Sequence, residues 1–111
     1  MRAERPARLQ KAAPLFFALG DETRLRIVGR LCRNGPSSIT QLSGDLPVTR
    51  QAVSKHLRVL AGAGLVRVRR AGRESICEIR HEQLQQAQRW LDDISRQWDG
   101  ALSRLQRLVE S

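Results

Sequence analysis

The chain has 111 residues, 41% of them hydrophobic, which allows one domain with a modest core and is too apolar for a disordered segment. Its formal net charge is +9, with 20 Lys and Arg against 11 Asp and Glu, and such a body is drawn to polyanions. No apolar run reaches the ~18 residues that span a bilayer, and Met1 to Lys11 is charged without a following signal-type apolar segment, so a cytoplasmic, membrane-free protein is expected. Cys32 and Cys77 are too few for a disulfide framework and fit a reducing compartment.

Leu9, Ala12, Ala13, Phe16 and Leu19 recur at helical spacing. Pro14 means that this first helix either starts near Ala13 or kinks there, and Gly20-Asp21 breaks it. Asp21 suits the N-cap of a second helix with a buried stripe of Leu25, Val28, Leu31 and Cys32. Asn34-Gly35-Pro36 stops that helix. A short third helix carries Ile39, Leu42 and Leu46, and Pro47 limits it. Thr49 can cap a fourth helix whose inward face is Val53, Leu57 and Leu60, and Gly62 and Gly64 end it.

The period then changes. Val66 and Val68 alternate with Arg67 and Arg69 as in a strand with one wet face. Ala71-Gly72 is the expected turn, and Ser75, Cys77 and Ile79 alternate with Ile76, Glu78 and Arg80 in a second strand. Residues 81–109 read as one long helix. Leu84, Ala87, Leu91, Ile94, Trp98, Ala101, Leu105 and Leu108 step by three and four along it, a heptad-like seam. Little else in so short a chain could cover both this seam and Trp90. His81 opens the helix in a structural role, and Trp90 and Trp98 are expected to pack in core or interface.

The expected fold is mainly α (α+β): a winged helix-turn-helix of about five helices plus a two- to three-stranded β-wing, with residues 1–111 as a single domain. In this arrangement the fourth helix enters the major groove of double-stranded DNA. Thr49, Arg50, Gln51, Ser54, Lys55 and Arg58 front it. Arg can hold guanine and Gln can hold adenine by paired hydrogen bonds, while the hydroxyls serve phosphate or base. His56 could bond a phosphate or brace the turn. The hairpin adds Arg69, Arg70 and Arg73, suited to backbone or minor groove, and the same charges would guard an exposed sheet edge.

Three stretches carry a resemblance: Ala18-Leu19-Gly20-Asp21-Glu22-Thr23-Arg24-Leu25-Arg26-Ile27, Val53-Ser54-Lys55-His56-Leu57-Arg58-Val59-Leu60, and Gly64-Leu65-Val66 with Arg69-Arg70-Ala71-Gly72-Arg73. Over roughly residues 14–80 the chain resembles the ArsR-type family of bacterial winged-helix repressors. The resemblance implies a homodimer built on the first and last helices, with Leu9, Phe16, Leu84, Leu91, Ile94, Trp98 and Leu105 at the interface and residues 81–109 as its dimerisation helix. It further implies repression, including autorepression, at an imperfect palindrome.

The chain departs from the metal-sensing members. Their thiolate-rich sequence would fall near Thr40-Gln41-Leu42-Ser43-Gly44-Asp45-Leu46, which holds no cysteine. Asp92, Asp93 and Asp99 lack a histidine beyond His81 to complete a site on the last helix. No metal, no cofactor and no catalytic constellation is expected, and an inducer is unknown. Two alternatives remain: a thiol-responsive repressor using Cys32 and Cys77, with buried packing as their plainer role, and a protein-interaction module with incidental DNA affinity.

Overall fold

A computed structural model describes the backbone of residues 4–110 and the side chains of residues 10–110. Its elements, in order, are α1 (Glu4–Leu19), α2 (Glu22–Asn34), β1 (Ser37–Ser38), α3 (Ile39–Asp45), α4 (Arg50–Gly62), β2 (Val66–Ala71), β3 (Glu74–Ile79) and α5 (His81–Glu110). The strands form one antiparallel sheet in the order β1-β3-β2. The fold is the expected one, a mostly helical winged helix-turn-helix. Leu9 falls in α1, but its side chain lies outside the described residues.

The helices begin where side chains satisfy their first amides. Asp21 accepts from the Arg24 backbone N–H at 3.0 Å and caps α2. Thr49 does the same for α4, accepting from the Ala52 N–H at 3.1 Å. Ser38 and Gln41 form a reciprocal capping box on α3, at 3.0 Å and 2.8 Å. Gly35 ends α2 with φ +77°, where a side chain would be strained, and its N–H returns to the Leu31 carbonyl at 2.9 Å. Pro14 does not start α1 but sits within it; its missing N–H takes one bond out of the helical ladder.

One core joins all the layers. Ile27 of α2, Leu42 of α3, Val53 and Leu60 of α4, Leu65 just before β2, and Cys77 of β3 are sealed from solvent. Leu15 and Ala18 of α1, Val28 and Leu31 of α2, Leu57 of α4, Val66 of β2 and Ala87 of α5 complete it. The inward face expected for α4 is therefore correct.

Three expectations need correction. The buried stripe of α2 is Ile27, Val28 and Leu31; Leu25 and Cys32 face solvent. Both sets satisfy helical spacing, and the position of α1, α4 and β3 selects the one used. In β2 only Val66 is buried, and Val68 is exposed because no layer covers the outer part of the hairpin. The turn is Gly72-Arg73, one residue later than expected, since Ala71 still pairs with Glu74. Gly72 takes φ +65° at the first loop position, the place a type II′ hairpin gives to glycine. Leu84 and Phe16, expected at a dimer surface, are half-buried against this chain's own core.

The 30-residue α5 is about 45 Å long at 1.5 Å per residue. It outruns the body, and the molecule measures 67 Å along its longest axis against 30 and 20 Å across.

Candidate nucleic-acid interface

The helix-turn-helix is built from α3, the Leu46-Pro47-Val48 connection and α4. With Val53, Leu57 and Leu60 held in the core, the 3.6-residue period turns the opposite face of α4 outward. Arg50, Gln51, Lys55 and Arg58 are exposed there, and Ser54 is half-buried among them. These five side chains line a single shallow depression. No ion pair engages Arg50, Lys55 or Arg58 among the described residues, so three full charges stand ready for an anion. Thr49 is exposed at the helix start, where free amides and the helix dipole also favour phosphate. Its hydroxyl accepts the capping bond and keeps its own proton to donate.

The wing sorts its arginines. Glu78, opposite Arg67 in the hairpin register, accepts from Arg67 Nε at 3.1 Å and Nη2 at 2.8 Å. Arg69 Nε stands 3.4 Å from the same carboxylate oxygen. The Arg67 hydrogen bond, with the charges of Arg67 and Arg69, holds the Glu78 carboxyl below the usual carboxylate range. Arg69 is thus partly committed within the chain. Arg70 and Arg73 at the tip are exposed and have no acidic partner among the described residues.

His56 is placed differently from its neighbours. It is half-buried and turned toward the start of α2, with Nδ1 3.3 Å from Arg24 Nη1 and 3.8 Å from Asp21 Oδ2. Of its two expected roles the geometry supports bracing. Arg24, which the sequence reading passed over, is the residue that receives it. Only tertiary packing brings the two together, 32 positions apart. Arg67 was recoverable: a hairpin closed at residues 72–73 sets it directly opposite Glu78.

A helix-turn-helix domain model matches residues 19–69. The chain is 40% identical over 94 residues to the HTH-type transcriptional regulator Rv2034 of Mycobacterium tuberculosis, covering 85% of this chain and 84% of that protein. It is 32% identical over 76 residues to the arsenical resistance operon repressor of Bacillus subtilis, covering 68% and 72%. Among solved structures, an ArsR-like transcriptional regulator from Rhodococcus sp. RHA1 superposes with a TM-score of 0.76 at 36% identity, over 89% of this chain and 92% of that one. The chain belongs to the ArsR-type family of winged helix-turn-helix transcriptional regulators. It is a DNA-binding transcriptional regulator, and the face of α4 is an exposed cationic surface of this ArsR-type protein.

The cysteines do not form a pair of like environment. Cys32 is exposed on α2, whereas Cys77 is buried on β3 and burial pushes its thiol up to about 11. A thiol held protonated in this way is a poor nucleophile, which weighs against a switch that joins the two. Among the described residues no three His, Cys, Asp or Glu side chains gather as a metal set, and no helix is long and apolar enough to cross a membrane.

Proposed function

We propose that this regulator is a homodimeric repressor that reads a palindromic operator with two copies of α4, one in each of two successive major-groove segments. The observation that carries this reading is the unpartnered cationic face of α4, set on a helix whose other side is locked into the core. Arg50 and Gln51, nearest the helix start, read base edges; Ser54, Lys55, Arg58 and Thr49 hold phosphate and fix the register. Arg70 and Arg73 extend the contact along the backbone. The chain works as one domain in the cytoplasm, with residues 81–109 as its dimerisation helix. Along that helix Leu91, Ile94, Trp98 and Leu105 are exposed in a single chain and form a continuous apolar stripe that a second copy would cover.

Selection of bound sequences from random duplex DNA tests the proposal. The expected product is an inverted repeat with half-sites about one helical turn apart, bound with a steep salt dependence. Recovery of sequences without symmetry or preference would instead favour a winged-helix interaction module.

A further inference from the structure

One polar junction is not accounted for by the core or by the DNA-facing surface. Arg24, in the first turn of α2, joins three helices through a single guanidinium. Its Nε donates to the Ala18 carbonyl at 2.6 Å, and its Nη2 to the Phe17 carbonyl at 3.3 Å, both at the C-terminal end of α1. Its Nη1 lies 3.3 Å from Nδ1 of His56, midway along α4. The guanidinium also covers the Phe17 ring, 5.7 Å from its centroid. The last carbonyls of a helix lack helical partners, and the planar five-donor fork of arginine spreads its donors widely enough to serve two of them and a ring nitrogen at once.

We propose that Arg24 is a positioning residue that sets α4 against α1, and that protonation of His56 releases this link and lowers operator discrimination. The inference rests on the DNA-binding reading of α4. A neutral His56 with its proton on Nε2 offers a bare Nδ1 that accepts from Arg24. A protonated His56 carries N–H on Nδ1; it cannot accept, it faces the guanidinium as a like charge, and its proton points to a new acceptor. Asp21 Oδ2, 3.8 Å away, is that acceptor. Asp21 and Arg24 are the charged groups that face the imidazole from α2, and α1 contributes only the Phe17 and Ala18 carbonyls already held by Arg24. The junction therefore has two hydrogen-bonded arrangements, and only one of them connects α4 to α1. Reading two half-sites demands a fixed separation of two α4 helices, whereas attraction to phosphate does not. Loss of the link acts on the preference for operator over unrelated duplex.

The test measures that preference for the wild type, His56→Gln and Arg24→Lys from pH 8 to pH 5.5, the range in which imidazoles change charge, at constant salt. Sedimentation and melting temperature are followed in parallel. The wild-type preference should fall ~10-fold across the range, the size of an ordinary coupling between sites. His56→Gln should be flat, because its amide does not titrate. Arg24→Lys should start ~10-fold lower at pH 8 and show no step, with the dimer retained. A His56→Gln profile that follows the wild type overturns the proposal, as does a wild-type preference in a folded Arg24→Lys protein. If Arg24→Lys does not fold, the His56→Gln profile decides alone. In the DNA-free protein, the Arg24 Nε–H resonance should move with the His56 titration, and its failure to move also counts against the link. A wild type with no preferred duplex at any pH refutes the DNA reading itself, a result distinct from a preference that ignores pH.

Discussion

Helices α4 and α5 carry the same kind of sequence and meet opposite fates. In α4 the apolar positions Val53, Leu57 and Leu60 are sealed by the rest of the chain. In α5 the seam starts in the core at Leu84 and Ala87, then runs out of protein: Leu91 is 52% exposed, Trp98 64% and Leu108 74%. The 13 residues of α4 fit within one body, and the 30 residues of α5 do not. Periodicity shows that a face needs cover. It does not show which chain supplies the cover.

Two substitutions sharpen this contrast. Leu57→Ala removes a side chain from a closed core and should cost about 2–5 kcal/mol of folding stability, read by urea denaturation and independent of protein concentration. Ile94→Asp puts a charge on the stripe, where it is harmless in a solvated monomer and costly across an apolar contact. It should leave the monomer folded, shift sedimentation from dimer to monomer, and reduce operator affinity by about a hundredfold as the two half-sites lose their linkage. An Ile94→Asp protein that remains dimeric would place the contact elsewhere.

The same contrast explains what was legible in the sequence. Local signals were: the caps at Asp21 and Thr49, the period of α4 and the outward set from Arg50 to Arg58 follow from spacing within one helix. Nonlocal choices were not. The sequence could not rank Ile27 above Leu25 or Cys32, because the second helix has enough apolar residues for more than one face and the neighbouring layers choose. Nor does a Ser37-Ser38 dipeptide signal a strand; both serines are buried because β3 pairs with them, Ser37 opposite Cys77 and Ser38 opposite Ile76. His56 had two roles open, phosphate contact or bracing, and its turn toward Asp21 and Arg24 depends on where the end of α1 lies. Within the candidate interface, the residues on α4 were readable and the partner that His56 braces against, Arg24, was not.

If Arg50 reads guanine through a bidentate contact, Arg50→Ala should reduce affinity for the selected operator by about 1–3 kcal/mol and broaden base choice at one position in each half-site. Competition binding with single-base operator variants checks it. Equal weakening on every duplex would move Arg50 from base reading to phosphate holding, while leaving α4 as the contact surface.

The smallest effect lies in the wing, where the comparison can be made between residues of one hairpin. Arg73 is at the tip with no acidic partner among the described residues, whereas Arg67 is bound through two nitrogens to Glu78. If free charge decides which arginines meet phosphate, Arg73→Ala should lower the slope of log affinity against log salt by about 1 in a single protomer's share, without altering base preference. Arg67→Ala should change that slope less, since Glu78 already offsets its charge and is left to Arg69 alone by the substitution, adding repulsion rather than removing a contact. The two therefore separate by kind. Arg73→Ala flattens the salt dependence, and Arg67→Ala weakens binding to operator and unrelated duplex together at nearly unchanged slope. Equal slopes for the two variants would mean that the wing tip stands clear of the DNA and that its arginines serve only to keep an open sheet edge apart from others.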